Sequence, residues 1–416
     1  MSQYGGVWTR EDRAGQPHQY LPVEVPAGCP GLTVTLDYDR SAGAIDLGCL
    51  GPAGFRGWSG TARDRFAIGP AAATPGYLPG ELEPGTWAVM LGLHRIGPDG
   101  VRWRVTVRLG PVRPPEASAA PVPRVTGRPP ARDLPHEPGL RWLAGDPHTH
   151  TVHSDGALTV SELAALGASR GLDFLAVTDH NTVSQHAELG PAGAAAGVVL
   201  LPGQEVTTDR GHAGVLGEVG WIDFREPADR WLAESERRGG LMSVNHPLAA
   251  DCAWRQPLGR RPPLAEVWHW TWLDRRWGGP VAWWMAWVGW TASVSDPAGT
   301  GSAAGPVAPV GGSDWHRPGS DAPPGQPTTW VACAERSVEG VLDGLRAGRT
   351  AVSADRDGPV LLPVAGELVV LGGDGLLLAG PDGRRAPVRG DRARFSARPG
   401  PHLVTDHDGA VLALCG

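Results

Sequence analysis

The densest chemistry in the chain lies in GDPHTHTVHSDG (145–156), which brings His148, His150, His153 and Asp155 within a dozen residues. Imidazole and carboxylate are the donors that borderline divalent ions take, so this spacing suits a metal that would ionise water. More donors stand where short apolar runs end. FLAVTDH ends on Asp179 and His180, GVVLLPGQE on Glu205, GGLMSVNH on His246, and VAPVGGSDWH on Asp314 and His316. Donors at i and i+2, as in His148/His150 and Asp314/His316, share a face if the run is a strand. His212 of GHAGVLG opens a run instead, so its position says less. Singly, each has an ordinary reading: an incidental loop histidine, a Ser-Asp-Gly turn, a strand stopped by the proline of NHP. Jointly those readings strain, because nine of the fourteen histidines fall between residues 148 and 316.

A set of this kind needs a scaffold that delivers strand ends to one rim. After residue 139 the chain alternates apolar runs with helical stretches. SELAALGASRG (161–171) predicts a helix capped by Thr159 or Ser161 and stopped at Gly171. SVEGVLDGLRAG (337–348) places Val338, Val341, Leu342 and Leu345 on one face, with Ser337 as cap and Gly348 as stop. Such alternation predicts a parallel α/β domain of barrel type, whose active-site mouth lies at the C-terminal strand ends.

The first ~110 residues read differently. LTVTLDYD (32–39) and VRWRVTVRL (101–109) alternate apolar with polar side chains, and Gly/Pro-rich breaks such as ATPGYLPGELEPG (73–85) separate the runs. Period two with one wet face predicts an antiparallel β-sandwich. Residues 111–138 are proline-rich and read as a linker or strap, and the tail from about 358 returns to turn-punctuated β runs. The expected division is therefore a sandwich over 1–112, a linker over 113–138, an α/β domain over 139–357 and a small β module over 358–416.

Composition narrows the class. With 416 residues, two or three domains are expected, and a net charge of −7 gives no reason to expect nucleic acid. The five cysteines are scattered with no C-x-x-C, which suits reduced thiols in the cytoplasm. The N-terminus lacks a signal-peptide pattern. PVAWWMAWVGWTASV (280–294) falls short of the ~18 apolar residues that span a bilayer, so no membrane association is expected. Lysine is absent and asparagine occurs only at 181 and 245, each beside a histidine, a bias that suggests a GC-rich genome.

DPHTHTVHSDG, FLAVTDHNT, PGQEVTT, GHAGVLG, SVNHP and VGGSDWH resemble, in order, the motifs of the polymerase-and-histidinol-phosphatase (PHP) superfamily of metal-dependent hydrolases. GFRGWSG, ATPGYLPGEL and the closing PTTWVACAERSVEGVLDGLRAGRTAVSA look like its carbaryl-esterase-like (CehA/McbA) branch. The resemblance implies a distorted (β/α)7 barrel behind a β-sandwich, with a three-metal site. His148, His150, Glu205 and Asp314 would hold the first ion. Glu205 would bridge to a second, completed by His212 and His246, while Asp155, His180 and His316 would hold the third. Two or three divalent ions of Zn, Mn or Fe type are the implied cofactors.

Six neutral imidazoles and three carboxylates against three dications leave about three positive charges, which favours an anionic small-molecule ester. The leading expectation is phosphoester hydrolysis by a metal-bridging hydroxide. Hydrolysis of a carboxylic or carbamate ester at the same site is the alternative, and a non-catalytic binding module is the reading from another class. Arg317 could contact a phosphate or be a surface arginine. His153 could donate a proton to the leaving group or support Asp155. Asp179 reads as an orienting residue, and His186 as a solvent-facing helix position. The segment 266–290 carries eight tryptophans, and His269 replaces the asparagine usual in the branch. The tryptophans could line an apolar pocket or pack a core.

Overall fold

The computed structural model describes residues 1–113, 127–269, 280–286, 307–319 and 322–416. The chain divides into two compact units: residues 1–121 with 150–159 and 179–187, and residues 122–149 with 160–178 and 188–416.

The first unit is built from β1 (Ser2–Trp8), β2 (His18–Val25), β3 (Leu32–Tyr38), β4 (Gly43–Gly51), β5 (Gly54–Gly60), β6 (Arg65–Ile68), β7 (Gly85–Ile96) and β8 (Val101–Leu109). They form two four-stranded antiparallel sheets, ordered β1-β8-β3-β6 and β2-β7-β4-β5. The alternation read in β3 is a burial pattern: Leu32, Val34 and Leu36 are buried and the threonines between them are more exposed. Val34 pairs with Phe66 on one side and Val107 on the other, while Val89 of the second sheet lies between Leu21 and Cys49. All six belong to one hydrophobic core that both sheets share.

The second unit holds β9 (Arg141–Thr149), β10 (Phe174–Val177), β11 (Val199–Thr208), β12 (Gly211–Leu216), β13 (Leu241–Val244), β14 (Leu264–Trp268), β15 (Ala308–Gly311), β16 (Thr328–Cys333) and β17 (Thr350–Ser353). Seven more strands close the chain: β18 (Val360–Val364), β19 (Glu367–Leu371), β20 (Leu377–Ala379), β21 (Arg385–Pro387), β22 (Arg392–Ser396), β23 (His402–Thr405) and β24 (Val411–Cys415). β9, β10 and β11 are parallel, as are β13, β14 and β15. The pattern is not parallel throughout, however. β12 pairs antiparallel with both β11 and β13, and β16 antiparallel with β9. Only Asp209 and Arg210 separate β11 from β12, which leaves a hairpin and no room for a helical crossover. The outcome is a mixed, sheet-rich unit with few helices. β15 also returns toward β9, where an isolated parallel bridge joins Thr149 to Trp315.

Both helices read from the sequence are present, as Val160–Ser169 and Val338–Arg346. Ser337 caps the latter by accepting from Gly340 N at 3.0 Å. The closing strands continue the main sheet through β17–β24 rather than standing apart, except β18, β19 and β22, which form a three-stranded sheet. Sequence alone could not show this, since nothing local in an edge strand names its distant partner. Trp268 and Trp284 are core residues, and Trp284 Nε1 donates to Val307 O at 2.8 Å. The remaining tryptophans of 266–290 lie outside the described residues, apart from the half-buried Trp283 packed on the same core. The five cysteines form no disulfide. Among the described residues no helix is long and apolar enough to cross a membrane.

Candidate metal centre

Asp146 sets up the end of β9. Its fully buried carboxylate accepts from the backbone N–H of His148 (3.1 Å), Ser313 (3.1 Å) and Gly325 (2.8 Å), which ties three chain segments together. Burial pushes its pKa up to about 6, against the pull of the Ser313 hydroxyl and these N–H groups.

Past this anchor, His148 Nδ1 lies 2.9 Å from Glu266 Oε1, and Nε2 lies 3.1 Å from both Glu205 Oε1 and Asp314 Oδ1. A carboxylate on one ring nitrogen fixes the tautomer and turns the other nitrogen toward the remaining acids, as a metal-ligating histidine requires. Glu266 also accepts from His246 N at 2.6 Å, so one side chain of β14 orients two candidate ligands. Gly312 makes this possible: a Cβ there would meet Glu266 Oε1 and His148 Cβ, each at 2.5 Å.

Glu205, in β11 and wholly buried, is the focus of the second unit. Its Oε1 lies 3.0 Å from His246 Nε2 and 3.4 Å from His212 Nδ1, and accepts from Asn245 Nδ2 at 3.0 Å. Ligand atoms of His148, Glu205 and Asp314 lie within 4.8 Å of one another, as do those of His148, His246 and Glu266. The same holds for His212, His246 and Cys252, whose Sγ is 3.4 Å from His246 Nδ1. Burial resists charge on His148, yet Glu205, Asp314 and Glu266 hold its pKa well above the ordinary imidazole value. His246 is raised likewise, against burial, by Cys252 and Glu205. His316 Nδ1 sits 2.7 Å from the Asp314 carbonyl and 3.9 Å from its carboxylate. His246 (φ 26°) and Asp314 (φ 52°) both occupy left-handed backbone, strain that is held where side chains must be aimed.

The first unit holds a second donor group. The rings of His150 and His180 stack 4.3 Å apart, His180 Nε2 is 3.7 Å from Asp155 Oδ1, and ligand atoms of all three lie within 4.8 Å of one another. Asp179 holds the two loops together by accepting from Thr151 N and Oγ1 and from Ser154 N and Oγ, at 2.7–3.0 Å. His153 is buried with Nδ1 2.7 Å from Ser184 Oγ, and Arg317 is exposed beside His316. His186 is half-buried at the first position of the helix His186–Ala196.

No family model matches the chain. It is 39% identical over 97 residues to a 3′,5′-nucleoside bisphosphate phosphatase of Chromobacterium violaceum, a match that covers 23% of this chain and 34% of that protein. The match therefore spans about a third of the curated relative. Among solved structures, a two-domain protein of Bacteroides vulgatus, described as containing a predicted PHP-like metal-dependent phosphoesterase, overlaps 70% of this chain and 99% of its own. That pair has a TM-score of 0.43 at 16% identity. An amidohydrolase of C. violaceum overlaps 43% of this chain and 89% of its own, with a TM-score of 0.30 and 18% identity.

The donor set, imidazoles and carboxylates together, suits divalent metal ions. Buried carboxylates facing several imidazoles leave acidic lone pairs and ring nitrogens directed at one small volume, and a cation satisfies both. Sequence reading missed Glu266, Asp146 and Cys252. The signal for Glu266 was present: an acid inside LAEVW, an otherwise apolar run whose five residues are all buried, has to be there for a partner.

Proposed function

We propose that this protein is a metal-dependent phosphoesterase of the PHP type, with a β-sandwich ahead of a distorted barrel as in the CehA/McbA-like branch. The observation that carries it is Glu205, a buried carboxylate approached by three imidazoles and by an asparagine amide. The partial match to a bisphosphate phosphatase supports the choice of ester.

In this reading His148, His150, Glu205 and Asp314 hold one ion, Glu205, His212 and His246 a second, and Asp155, His180 and His316 a third. Such ions supply Lewis acidity toward a phosphoryl oxygen and toward water. The chain's own residues do the positioning. Glu266 holds His148 and the His246 backbone, Asn245 fixes the Glu205 rotamer, and Asp146 locks the end of β9 to the segment carrying Asp314. Arg317 would contact two phosphate oxygens as a bidentate donor. His153, bonded to Ser184, supports the loop of Asp155.

The test is elemental analysis of the purified protein with a substrate panel: p-nitrophenyl phosphate, bis-p-nitrophenyl phosphate, a 3′,5′-nucleoside bisphosphate and 1-naphthyl carboxylic and carbamate esters. Two or more equivalents of transition metal and turnover of phosphoesters are expected. Turnover of the carboxyl or carbamate esters alone would replace the reading with the esterase one, and less than one equivalent of metal would remove it.

A further inference from the structure

The two loops that carry Asp155 and His180 are held from outside themselves, and the holding groups come from the N-terminal sheets. Arg63 lies in the turn between β5 and β6. Its NH1 donates to Ser154 O at 2.9 Å, and its NH2 donates to Val152 O. Both carbonyls belong to the turn that presents Asp155. The guanidinium is half-buried there, and burial lowers its pKa against the opposing pull of Tyr77, Asp179 and Asp155.

A second pin comes from the β6–β7 connection. Gly76 N donates to Ser184 Oγ at 2.9 Å, and Thr182 Oγ1 donates to Gly76 O at 2.9 Å. Ser184 in turn meets His153 Nδ1 at 2.7 Å, so this contact reaches both loops. Gly76 has a φ of +97°, and a Cβ there would stand 2.8 Å from His153 O and from Trp58 O. The approach is therefore possible only for glycine. A turn whose business was confined to its own sheets would not need that vacancy facing a loop some 75 residues away in sequence.

We infer that the N-terminal two-sheet region is a working part of the metal centre, with Arg63 as a positioning residue that sets the Asp155 and His180 loops for ion binding. The inference rests on the metal reading above and adds to it a role for a region outside the donor motifs. Two charge-assisted bonds to carbonyls of one backbone turn fix where Asp155 points. Without them the half-exposed Asp155 gains rotational freedom, and the ion it shares with His180 is held less tightly.

The test uses the full-length chain loaded with Zn²⁺ or Mn²⁺ and compares Arg63→Ala, Arg63→Lys and Ser184→Ala with Arg40→Ala, an exposed arginine of the same region, as control. Metal retention is read by competition with a chromophoric chelator, alongside thermal melting and, on a phosphoester, kcat and KM. Arg63→Ala is expected to weaken one class of ion by roughly 10–100-fold and to lower kcat more than it changes KM. Its melting temperature should stay within about 3 °C of the parent. Arg63→Lys should recover part of the metal affinity, Ser184→Ala should shift it less in the same direction, and Arg40→Ala should leave it unchanged. Unaltered metal retention and kcat in Arg63→Ala would overturn the inference. If that variant fails to fold, unaltered retention in Ser184→Ala overturns it instead. A parent protein that binds no metal would sink both this and the metal reading, whereas full metal in parent and variants alike sinks only this.

Discussion

Two regions of the molecule bury carboxylates, and they neutralise them by opposite means. In the N-terminal sheets Asp46 of β4 packs beside Trp58 and Gly92; part of the residue reaches solvent, but burial alone pushes its pKa up to about 7. In the second unit Glu205, Glu266 and Asp314 face imidazoles, and there the burden falls on the bases, with His148 and His246 raised well above their ordinary range. A lone buried acid takes a proton, while a clustered set takes whatever cation the neighbouring bases allow. The first arrangement is a cost the fold tolerates. The second is a place for a metal.

The largest effect expected from this contrast comes from breaking the cluster. His148→Ala or Asp314→Ala should drop phosphoester turnover to background and lower metal content, while circular dichroism and melting stay close to the parent. The fold should survive because the cores that hold each unit lie elsewhere, among residues such as Phe174, Leu201 and Leu264. Either variant keeping near-parental activity with full metal would mean that the Glu205 group is only a buried salt-bridge network.

A narrower cut separates orientation from ligation. Glu266→Gln keeps the size of the side chain and a hydrogen-bond acceptor near His148 Nδ1 but removes the charge that favours Nε2 as a donor to metal. The expected loss is roughly 10–100-fold in metal affinity or kcat, well short of the His148→Ala effect. An effect as large as His148→Ala would make Glu266 a ligand. No effect would mean that Asp146 and the backbone already fix the ring.

These residues also show what could be read ahead of the structure. His148, His150, Glu205, His246, Asp314 and His316 could be picked out as candidate donors because such residues at the ends of apolar runs are a local pattern. Asp155 and His180 were legible through the motifs around them, yet what positions them was not, since Arg63 and Gly76 lie far away in sequence and look like ordinary turn residues. The alternation of β3 and β8 gave the N-terminal sheets directly, because a half-buried strand writes its burial into every second residue. β12 departs from the parallel α/β pattern expected after residue 139: its hairpin to β11 is a matter of connection length, and that appears only once both strand ends are placed. Glu266 stayed hidden because a single acid in an apolar run does not say which distant histidine it serves.

The smallest effect tests the other side of the contrast. An acid whose folded pKa, about 7, exceeds its unfolded value near 3.8 makes the native state bind more protons between those limits. Stability from this group is then greatest below pH ~4 and falls as pH rises toward 7, after which it is constant. A shift of 7 − 3.8 = 3.2 units sets an upper limit of about 4 kcal/mol, and water reaching the exposed part of Asp46 reduces it. Asp46→Asn removes the ionisation without changing shape. Its melting temperature should match the parent below pH ~4, begin to exceed it by pH 5 and exceed it most, by several degrees, at pH 8, since about 1 kcal/mol moves the midpoint of a large domain by 2–4 °C. The metal content of the variant should be unchanged, because Asp46 serves no base. A gain at pH 5 as large as at pH 8 would show that packing, and not the buried charge, set the difference.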